Sequence, residues 1–139
     1  MANTVTAHTI LNGPRNLIVQ YNIVADGSGN ETSYELLDVL DYTGQDQKDP
    51  NDFKVVKVTG TTGTGTTVEL DFGNADGDDR LFFQSPPENT FCQEWPGGLS
   101  TLLVNPDMTI KLTTLGFDAA NDLISLTIWI KKKTKLAGN

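Results

Sequence analysis

Side chains that could perform nucleophilic catalysis are few in this sequence. The chain has one cysteine, Cys92, and one histidine, His8. A thiolate nucleophile needs a base such as imidazole within hydrogen-bond reach, and His8 lies in the N-terminal segment, so only the fold decides whether the two meet. A single free cysteine is more often a small core residue than a nucleophile. We therefore predict that the protein is not an enzyme, and we assign no catalytic residue.

Clustered carboxylates raise the possibility of a metal site at one turn. Three aspartates lie within the four residues Asp76–Asp79, and carboxylate oxygens are ligands that hard cations such as Ca²⁺ prefer. The same composition is typical of a solvated hairpin turn. Residues 26–31 begin like a calcium-binding loop, but Glu31 occupies the sixth position, where the sharp turn of that loop requires glycine. We favour the hairpin turn at Asp76–Asp79 and predict no bound metal.

The glycine-rich stretch Gly60–Gly65 resembles a phosphate-binding loop in its glycine content alone. It lacks the Lys-Ser/Thr ending, and a strand pattern follows it instead of a helix. No helix N-terminus would therefore face a bound anion. We predict a hairpin connection here and no cofactor.

Aromatic residues are better candidates for contacts with another macromolecule. In the apolar run of residues 123–130, the aliphatic side chains at the even-numbered positions predict a buried face, which leaves Trp129 on the other face. Tryptophan is enriched at the centres of interfaces. Three further aromatic residues either form a platform on which a carbohydrate stacks or pack within the fold, namely Trp95, Phe91 and Tyr42. Our interface candidates are Trp129, Trp95 and Phe91.

Basic residues are concentrated after this run. Residues 1–130 have a net charge of −12 and residues 131–139 a net charge of +4, which gives the whole chain −8. Lysines at the end of an apolar strand prevent edge-to-edge aggregation, and they also attract an acidic partner. We treat residues 131–139 as a basic C-terminal tail. Its interface candidates are Lys131, Lys132 and Lys133.

Alternating apolar and polar residues, the pattern of a half-buried strand, recur along the chain. The alternation is clear over residues 17–24, 67–72 and 108–113. It changes phase between Val55 and Val56, where a β-bulge would exchange the two faces. We expect the first of these segments to be a central strand.

About eight such strands, separated by glycine, proline and asparagine clusters, predict an all-β fold. We expect residues 1–130 to form a single-domain antiparallel β-sandwich or jelly roll, or a small barrel, with little or no helix. Residues 34–42 fit either a strand or a helix, and we favour a strand. Residues 85–98 contain prolines and aromatic residues, and we predict a long irregular loop that carries contacts.

Composition limits the function classes. An acidic body disfavours direct reading of DNA or RNA, because affinity for phosphates is built from lysine and arginine. The longest apolar-rich run, residues 123–130, is far shorter than the roughly 20 residues that span a bilayer. The first residues lack the pattern of a signal peptide, so we expect synthesis in a host cytoplasm and no membrane association.

Four segments of the chain resemble one known family. They are Met1-Ala-Asn-Thr-Val-Thr6, Leu11-Asn-Gly-Pro-Arg-Asn-Leu17, Val24-Ala-Asp-Gly-Ser-Gly-Asn-Glu-Thr32 and Leu126-Thr-Ile-Trp-Ile-Lys-Lys-Lys133. Together they resemble small virion proteins of tailed bacteriophages, notably of marine phages. The similarity is clearest over residues 1–40 and 108–135.

The resemblance implies a β-rich capsid decoration or cement protein on the surface of the phage head. Such a protein binds the major capsid protein, stabilises the assembled head and self-associates, for example as a trimer about a local symmetry axis. No catalytic residues come with the resemblance. Two other classes stay open, namely a carbohydrate-binding module of a tail fibre or spike, and a head–tail connector or adaptor component.

Overall fold

The computed structural model describes most of the chain. The described residues are 3–13, 15–27, 29–42, 52–63, 65–74, 77–85, 90–101, 106–117 and 122–133. The strands are β1 (Thr4–Asn12), β2 (Asn16–Val24), β3 (Tyr34–Asp38), β4 (Asp52–Thr61), β5 (Thr67–Asn74), β6 (Arg80–Gln84), β7 (Thr90–Ser100), β8 (Pro106–Leu115) and β9 (Leu123–Lys133). A 3-10 turn, Val39–Tyr42, follows β3. Within the described ranges, no helix has the length and apolar character to cross a membrane.

The strands form two antiparallel sheets that make a β-sandwich. The five-stranded sheet has the order β1-β2-β9-β4-β7, and the four-stranded sheet has the order β3-β8-β5-β6. The all-β sandwich predicted from the alternation is confirmed, with nine strands in the described residues. β2 lies between β1 and β9, so the prediction of a central strand there is also confirmed.

The core lies between the two sheets. Its largest contributors are the inward side chains of the central strands, as the alternation predicts: Leu17, Val19, Tyr21, Ile23, Val68, Leu70, Phe72, Met108, Ile110, Leu112, Ile124, Leu126, Ile128 and Ile130. Phe53 of β4 and Phe72 of β5 bridge the sheets, with ring centroids 5.7 Å apart in an edge-to-face arrangement. Aromatic pairs prefer this arrangement, so the contact helps to fix how the sheets pack.

β4 contains the bulge that the change of phase predicts. Lys57 pairs with Trp129 of β9, Val55 pairs with the next inward residue of β9, and Val56 is the extra residue between them. Val55 and Val58 are both fully buried, although residues three positions apart lie on opposite faces of a regular strand. The bulge therefore keeps both valines in the core and places Lys57 on the outer face.

The stretch Gly60–Gly65 does not join a hairpin. β4 pairs with β7 and β9, whereas β5 pairs with β6 and β8, so this connection carries the chain from one sheet to the other. The hairpin prediction is wrong because turn-forming residues indicate a reversal of the chain but do not specify which sheet receives the next strand.

The prediction of an irregular loop over residues 85–98 is wrong for residues 90–94, which pair with β4 as part of β7, whereas residues 95–98 have no partner on β4. Pro96 lies in a bulge of this edge strand, between Glu94, which pairs with Lys57, and Leu99, which pairs with Val55, so it removes no ladder hydrogen bond. Gly97 and Gly98 have positive φ angles of 82° and 89°, which glycine adopts without strain. Proline and glycine therefore mark a bulge within the edge strand here.

Two other segments differ from their predicted structure over part of their length. Tyr34–Asp38 is a strand, as we favour, but the chain then continues into the 3-10 turn. β9 extends to Lys133, so the first three residues of the expected tail are part of the five-stranded sheet. Residues 134–139 lie outside the described residues.

Candidate docking face

His8 and Cys92 lie on opposite edge strands of the five-stranded sheet. His8 pairs with Gln20 of β2, and Cys92 pairs with Thr59 of β4. Gln20 and Thr59 both pair with Thr127 of β9, so the five residues form one row across the outer face. Neighbouring strands are about 4.8 Å apart, and four such intervals separate His8 from Cys92 by roughly 19 Å. A thiolate–imidazole pair between these two side chains is therefore excluded.

The acidic turn after β5 is held against the sheet by a lysine. Lys111 Nζ of β8 lies 3.1 Å from Asp79 Oδ2, and the backbone N–H of Asn74 donates to Asp79 Oδ1 at 3.0 Å. β5 and β6 pair antiparallel, so this turn joins a hairpin, as predicted. Among the side chains that the structure describes, no three His, Cys, Asp or Glu groups are arranged to hold a metal ion, and Asp76 lies outside them.

Trp129 is half-buried on the outer face of β9, the face that the alternation predicts. In its row, Ile18 of β2 lies on one side and Lys57 of β4 on the other. Lys57 Nζ is 5.0 Å from the centroid of the Trp129 ring, within the range of a cation–π interaction. Lys57 Nζ also lies 3.4 Å from Glu94 Oε1 on β7. The row thus passes from apolar to charged across the sheet.

The next row places two lysines side by side. Lys54 of β4 pairs directly with Lys131 of β9, on the same face as Trp129. The stem of Lys54 lies over Gly98, where an added Cβ would approach Lys54 Cβ to 2.9 Å. Within the described ranges, neither lysine has a carboxylate at ion-pair distance. In the described part of the chain neither lysine therefore forms an ion pair, although Asp52 of β4 lies on the same face in the adjacent row.

These two rows make one continuous surface. We call it the docking face, and it consists of Ile18, Trp129, Lys54, Lys57 and Lys131. It combines an aromatic and an aliphatic side chain with three lysines, on a chain whose net charge is −8. An apolar centre with charged groups around it is the usual anatomy of a protein–protein interface.

The outer face of the four-stranded sheet has the opposite charge. In one row Glu35 and Asp71 lie on either side of Lys111, and Glu69 also lies on this face of β5. Burial raises the pKa of Asp71, the negative charges of Asp79 and Glu69 raise it further, and Lys111 acts in the opposite direction. This row of the four-stranded sheet is therefore acidic, whereas the docking face is basic.

Two predicted interface residues, Trp95 and Phe91, do not lie on the docking face. Phe91 is 7% exposed, and its ring centroid lies 5.3 Å from that of Phe83 in the core. Trp95 is half-buried, with its ring edge-on to Phe82 and Phe83 at centroid distances of 6.0 and 6.4 Å. The carbohydrate platform of Trp95, Phe91 and Tyr42 does not form, because Phe91 is a core residue.

The adjacent lysines of β9 point in opposite directions. Lys131 is exposed, whereas Lys132 is 6% exposed. Lys132 Nζ donates hydrogen bonds to Asn12 Oδ1 at 2.7 Å, to the Gly13 carbonyl at 3.0 Å and to the Tyr42 carbonyl at 2.6 Å. Burial lowers the pKa of the Lys132 ammonium. Lys132 therefore ties β9 to the end of β1 and to the 3-10 turn, and it is not available to a partner.

Reasoning from the sequence alone missed Lys54, Lys57 and Ile18 as members of the docking face. The outward position of each within its strand is readable from the alternation. Which outward residues become neighbours depends on strand order and register, which the sequence of one strand does not contain. Lys133, also predicted for the interface, ends β9, and its side chain lies outside the part of the chain that the structure describes.

Comparisons with known proteins do not identify a family or a function for this chain. No protein-family model matches the chain, and no curated protein matches it. Among solved structures, the chain is similar to the crystal structure of Peruvianin-I, a cysteine peptidase from Thevetia peruviana latex, with 12% sequence identity and a TM-score of 0.37. The match covers 94% of this chain and 62% of that chain. A similarity this weak carries no argument about activity, so the function must be inferred from the surface of the sandwich.

Proposed function

We propose that this chain is a non-enzymatic structural protein of a tailed-phage particle, a decoration protein that binds the assembled head through the docking face. The observation that carries the proposal is the Lys54–Lys131 pair beside Trp129, a basic and aromatic surface on an acidic sandwich. The resemblance in sequence supplies the phage context, and this surface supplies a means of adhesion.

The lysine pair favours an acidic partner. Like charges directly opposite each other on neighbouring strands destabilise a sheet. Lys54 and Lys131 therefore repel each other in the free chain, and carboxylates of a bound protein would replace this repulsion by ion pairs. An acidic patch on the major capsid protein is the partner that this chemistry selects.

Trp129 supplies the apolar centre of the contact. Burying apolar surface contributes about 25 cal/mol per Å² removed from water, and both the indole and the neighbouring Ile18 have surface to bury. Lys57 already lies over the indole ring in the free chain, so less side-chain freedom is lost on binding. The surrounding lysines then contribute selectivity and a fast association rate more than affinity.

Binding that depends on the assembled lattice would explain how such a protein stabilises a head. A ligand that binds only the assembled form stabilises it by mass action, by about 2.7 kcal/mol at a concentration one hundred times its Kd. No bond-making chemistry is needed for this role. The carbohydrate-binding alternative loses its main support, because Phe91 is buried and the aromatic platform does not form.

The test uses empty heads of the phage that encodes the chain, prepared without this protein. Wild-type protein should sediment with the heads and raise their melting temperature. The double variant Lys54→Gln/Lys131→Gln should bind at least about tenfold more weakly, because two charge-assisted contacts are lost. Its matched control is Thr32→Glu/Gln84→Glu, which changes the net charge by the same amount with both substitutions away from the docking face, and should bind like the wild type.

Two results would contradict the proposal. One is wild-type protein that neither sediments with the heads nor raises their melting temperature. The other is equal weakening by the lysine variant and by the control, because the contact would then depend on net charge and not on this surface. Circular dichroism and thermal unfolding of each variant establish that the fold is intact before binding is compared.

A further inference from the structure

β1 is an edge strand that lacks most of the features by which proteins protect the edges of sheets. It is nine residues long and contains no Asp, Glu, Lys, Arg, Pro or Gly. All of its residues except Val5 are exposed. A bulge between Thr9 and Leu11 interrupts its pairing with β2, and Thr4–Thr9 before it is regular. An exposed and uncharged edge of this kind is a template for another strand.

The other three edge strands carry the protection that β1 lacks. β7 contains Glu94 and Pro96, and its residues 95–98 form a bulge that has no partner on β4. β3 has five residues, among them Glu35 and Asp38. β6 also has five residues and begins with Arg80. Shortness, charge, proline and bulges all discourage edge-to-edge pairing, so β1 is the one accessible edge among the described strands.

We propose that β1 pairs antiparallel with β1 of a second copy of this chain, which joins two five-stranded sheets into one sheet of ten strands. An antiparallel pair of identical strands is related by a two-fold axis perpendicular to the sheet, so the contact is self-complementary and closes at a dimer. The backbone N–H and C=O groups on the outer edge of β1 become hydrogen-bonded in this arrangement.

Charge favours a second copy on this edge. Each chain has a net charge of −8, so two copies approach most readily where neither presents a charged group. β1 meets that condition throughout its length. A β3 edge pairing with another β3 would instead bring Glu35 and Asp38 close to the same residues of the second copy, and like charges across a strand pair are destabilising.

Exposed apolar residues at one end of β1 also lose exposure in the antiparallel arrangement. Ile10 and Leu11, near that end, are 54% and 45% exposed. Pairing brings this end of one copy beside the Thr4 end of the other. Both side chains are then partly covered by the second β1.

The dimer has one consequence that rests on the proposed function. Because the two-fold axis is perpendicular to the sheet, both docking faces lie on the same side of the ten-stranded sheet. Two binding surfaces on one rigid body engage a repeating lattice with greater avidity than either surface alone. The dimer itself is independent of the phage head and is tested with purified protein.

The test combines sedimentation equilibrium with amide hydrogen exchange. Wild-type protein at about 100 μM should sediment as a dimer, as expected for a Kd in the micromolar range. The amides of β1 that face away from β2 should exchange more slowly as the protein concentration rises. Ala7→Lys places a charge on the paired edge and should weaken the dimer about tenfold or more. Gln93→Lys makes the same change of charge on the opposite edge strand and should dimerise like the wild type.

Three results would overturn this inference. They are a monomer at about 100 μM, a trimer, and a dimer that Ala7→Lys leaves as tight as the wild type. The concentration dependence of amide hydrogen exchange in β1 is measured on the wild type alone. It therefore tests the β1–β1 dimer even if Ala7→Lys folds poorly. Failure of the docking variants on phage heads would leave the dimer result unchanged, so the two proposals are tested separately.

Discussion

Two neighbouring residues, Lys131 and Lys132, show how far the role of a lysine depends on which face of a strand it occupies. Both belong to the basic cluster that the sequence makes conspicuous, but Lys132 is buried with three oxygen acceptors around its ammonium group, and Lys131 is exposed. The composition of the cluster predicts an adhesive tail. Alternation along β9 assigns one of these lysines to the fold and the other to the surface.

Replacing Lys132 should destabilise the fold far more than replacing Lys131. Lys132→Met leaves the Asn12 side chain and the carbonyls of Gly13 and Tyr42 without their donor, and we expect the free energy of unfolding to fall by about 2–4 kcal/mol. Lys131→Met removes an exposed charge and should change it by no more than about 0.5 kcal/mol. Urea unfolding measures both values. Equal effects of the two substitutions would show that the hydrogen bonds of Lys132 do not stabilise the fold.

The raised pKa of Asp71 leads to a prediction about how the stability of the fold depends on pH. Its folded-state pKa is raised above the unfolded value of 3.8, first by desolvation and then by neighbouring carboxylates. The native state therefore binds this proton more tightly than the unfolded state, and the ionised carboxylate destabilises the fold at pH values above the folded pKa. Asp71→Asn should raise the free energy of unfolding at pH 7 by roughly 0.5 kcal/mol. The gain should disappear as the pH falls below 3.8, where the carboxyl is protonated in both states.

Chemical unfolding of Asp71→Asn from pH 3 to pH 8 tests this expectation, with Asp78→Asn as the control. Asp78 is an exposed carboxylate of the neighbouring turn, and its replacement should change the free energy of unfolding at pH 7 by no more than about 0.5 kcal/mol. A loss of stability at pH 7 in Asp71→Asn would mean that the attraction of Lys111 outweighs the burial of this carboxylate.

At the scale of elements, the close approach of β4 to β9 sets the geometry of the docking face. These strands carry Lys54, Lys57, Trp129 and Lys131, and the bulge at Val56 brings Lys57 into register with the indole. Farther along β4, Gly60 lies against the backbone of β9, where a Cβ would collide with the carbonyl oxygen of Ser125 and the ring of Phe91. β4 and β9 can pair at this point because Gly60 has no side chain.

Substituting Gly60 should therefore separate the two strands. Gly60→Ala is expected to lower the free energy of unfolding by about 2 kcal/mol or more, because the backbone of β9 cannot move aside without loss of pairing. Gly63→Ala is the matched control, since a Cβ there would have nothing within 4 Å. Thermal unfolding compares the two variants. Similar melting temperatures would show that β4 and β9 do not approach as closely as described.

Much of this element structure could be predicted from the sequence. Alternation identified the inward residues of β2, β5, β8 and β9, and the phase change in β4 located its bulge, because both signals are local. Sheet membership could not be predicted in the same way. The connection Gly60–Gly65 crosses between the sheets and residues 90–94 pair in an edge strand, since pairing partners distant in sequence decide both outcomes.

The same limit applied to the candidate site. Trp129 was identifiable as an outward tryptophan from one strand alone. Lys54 and Lys57 are separated from it in the sequence by most of the second half of the chain, and only the β4–β9 register makes them its neighbours. Burial of Phe91 and Lys132 likewise depends on the packing of distant elements. Single-strand patterns therefore gave the anchor of the docking face but not its basic part.

At the scale of the whole molecule, the docking face and the outer face of the four-stranded sheet differ in charge. The basic side of the five-stranded sheet would meet an acidic partner, while the acidic side of the four-stranded sheet would face solvent and limit further association. Pairing through β1 would keep the same orientation in both copies and double the docking surface. Under the proposed function, the protein works by adhesion, and sheet register determines its specificity.

Cryo-electron microscopy of heads saturated with this protein tests that account most directly. We predict density for the sandwich on the outer surface of the head, with the five-stranded sheet facing the shell and with Lys54, Lys131 and Trp129 against an acidic patch of the major capsid protein. A map in which the four-stranded sheet faces the shell, or in which the head carries no sandwich density, would contradict it.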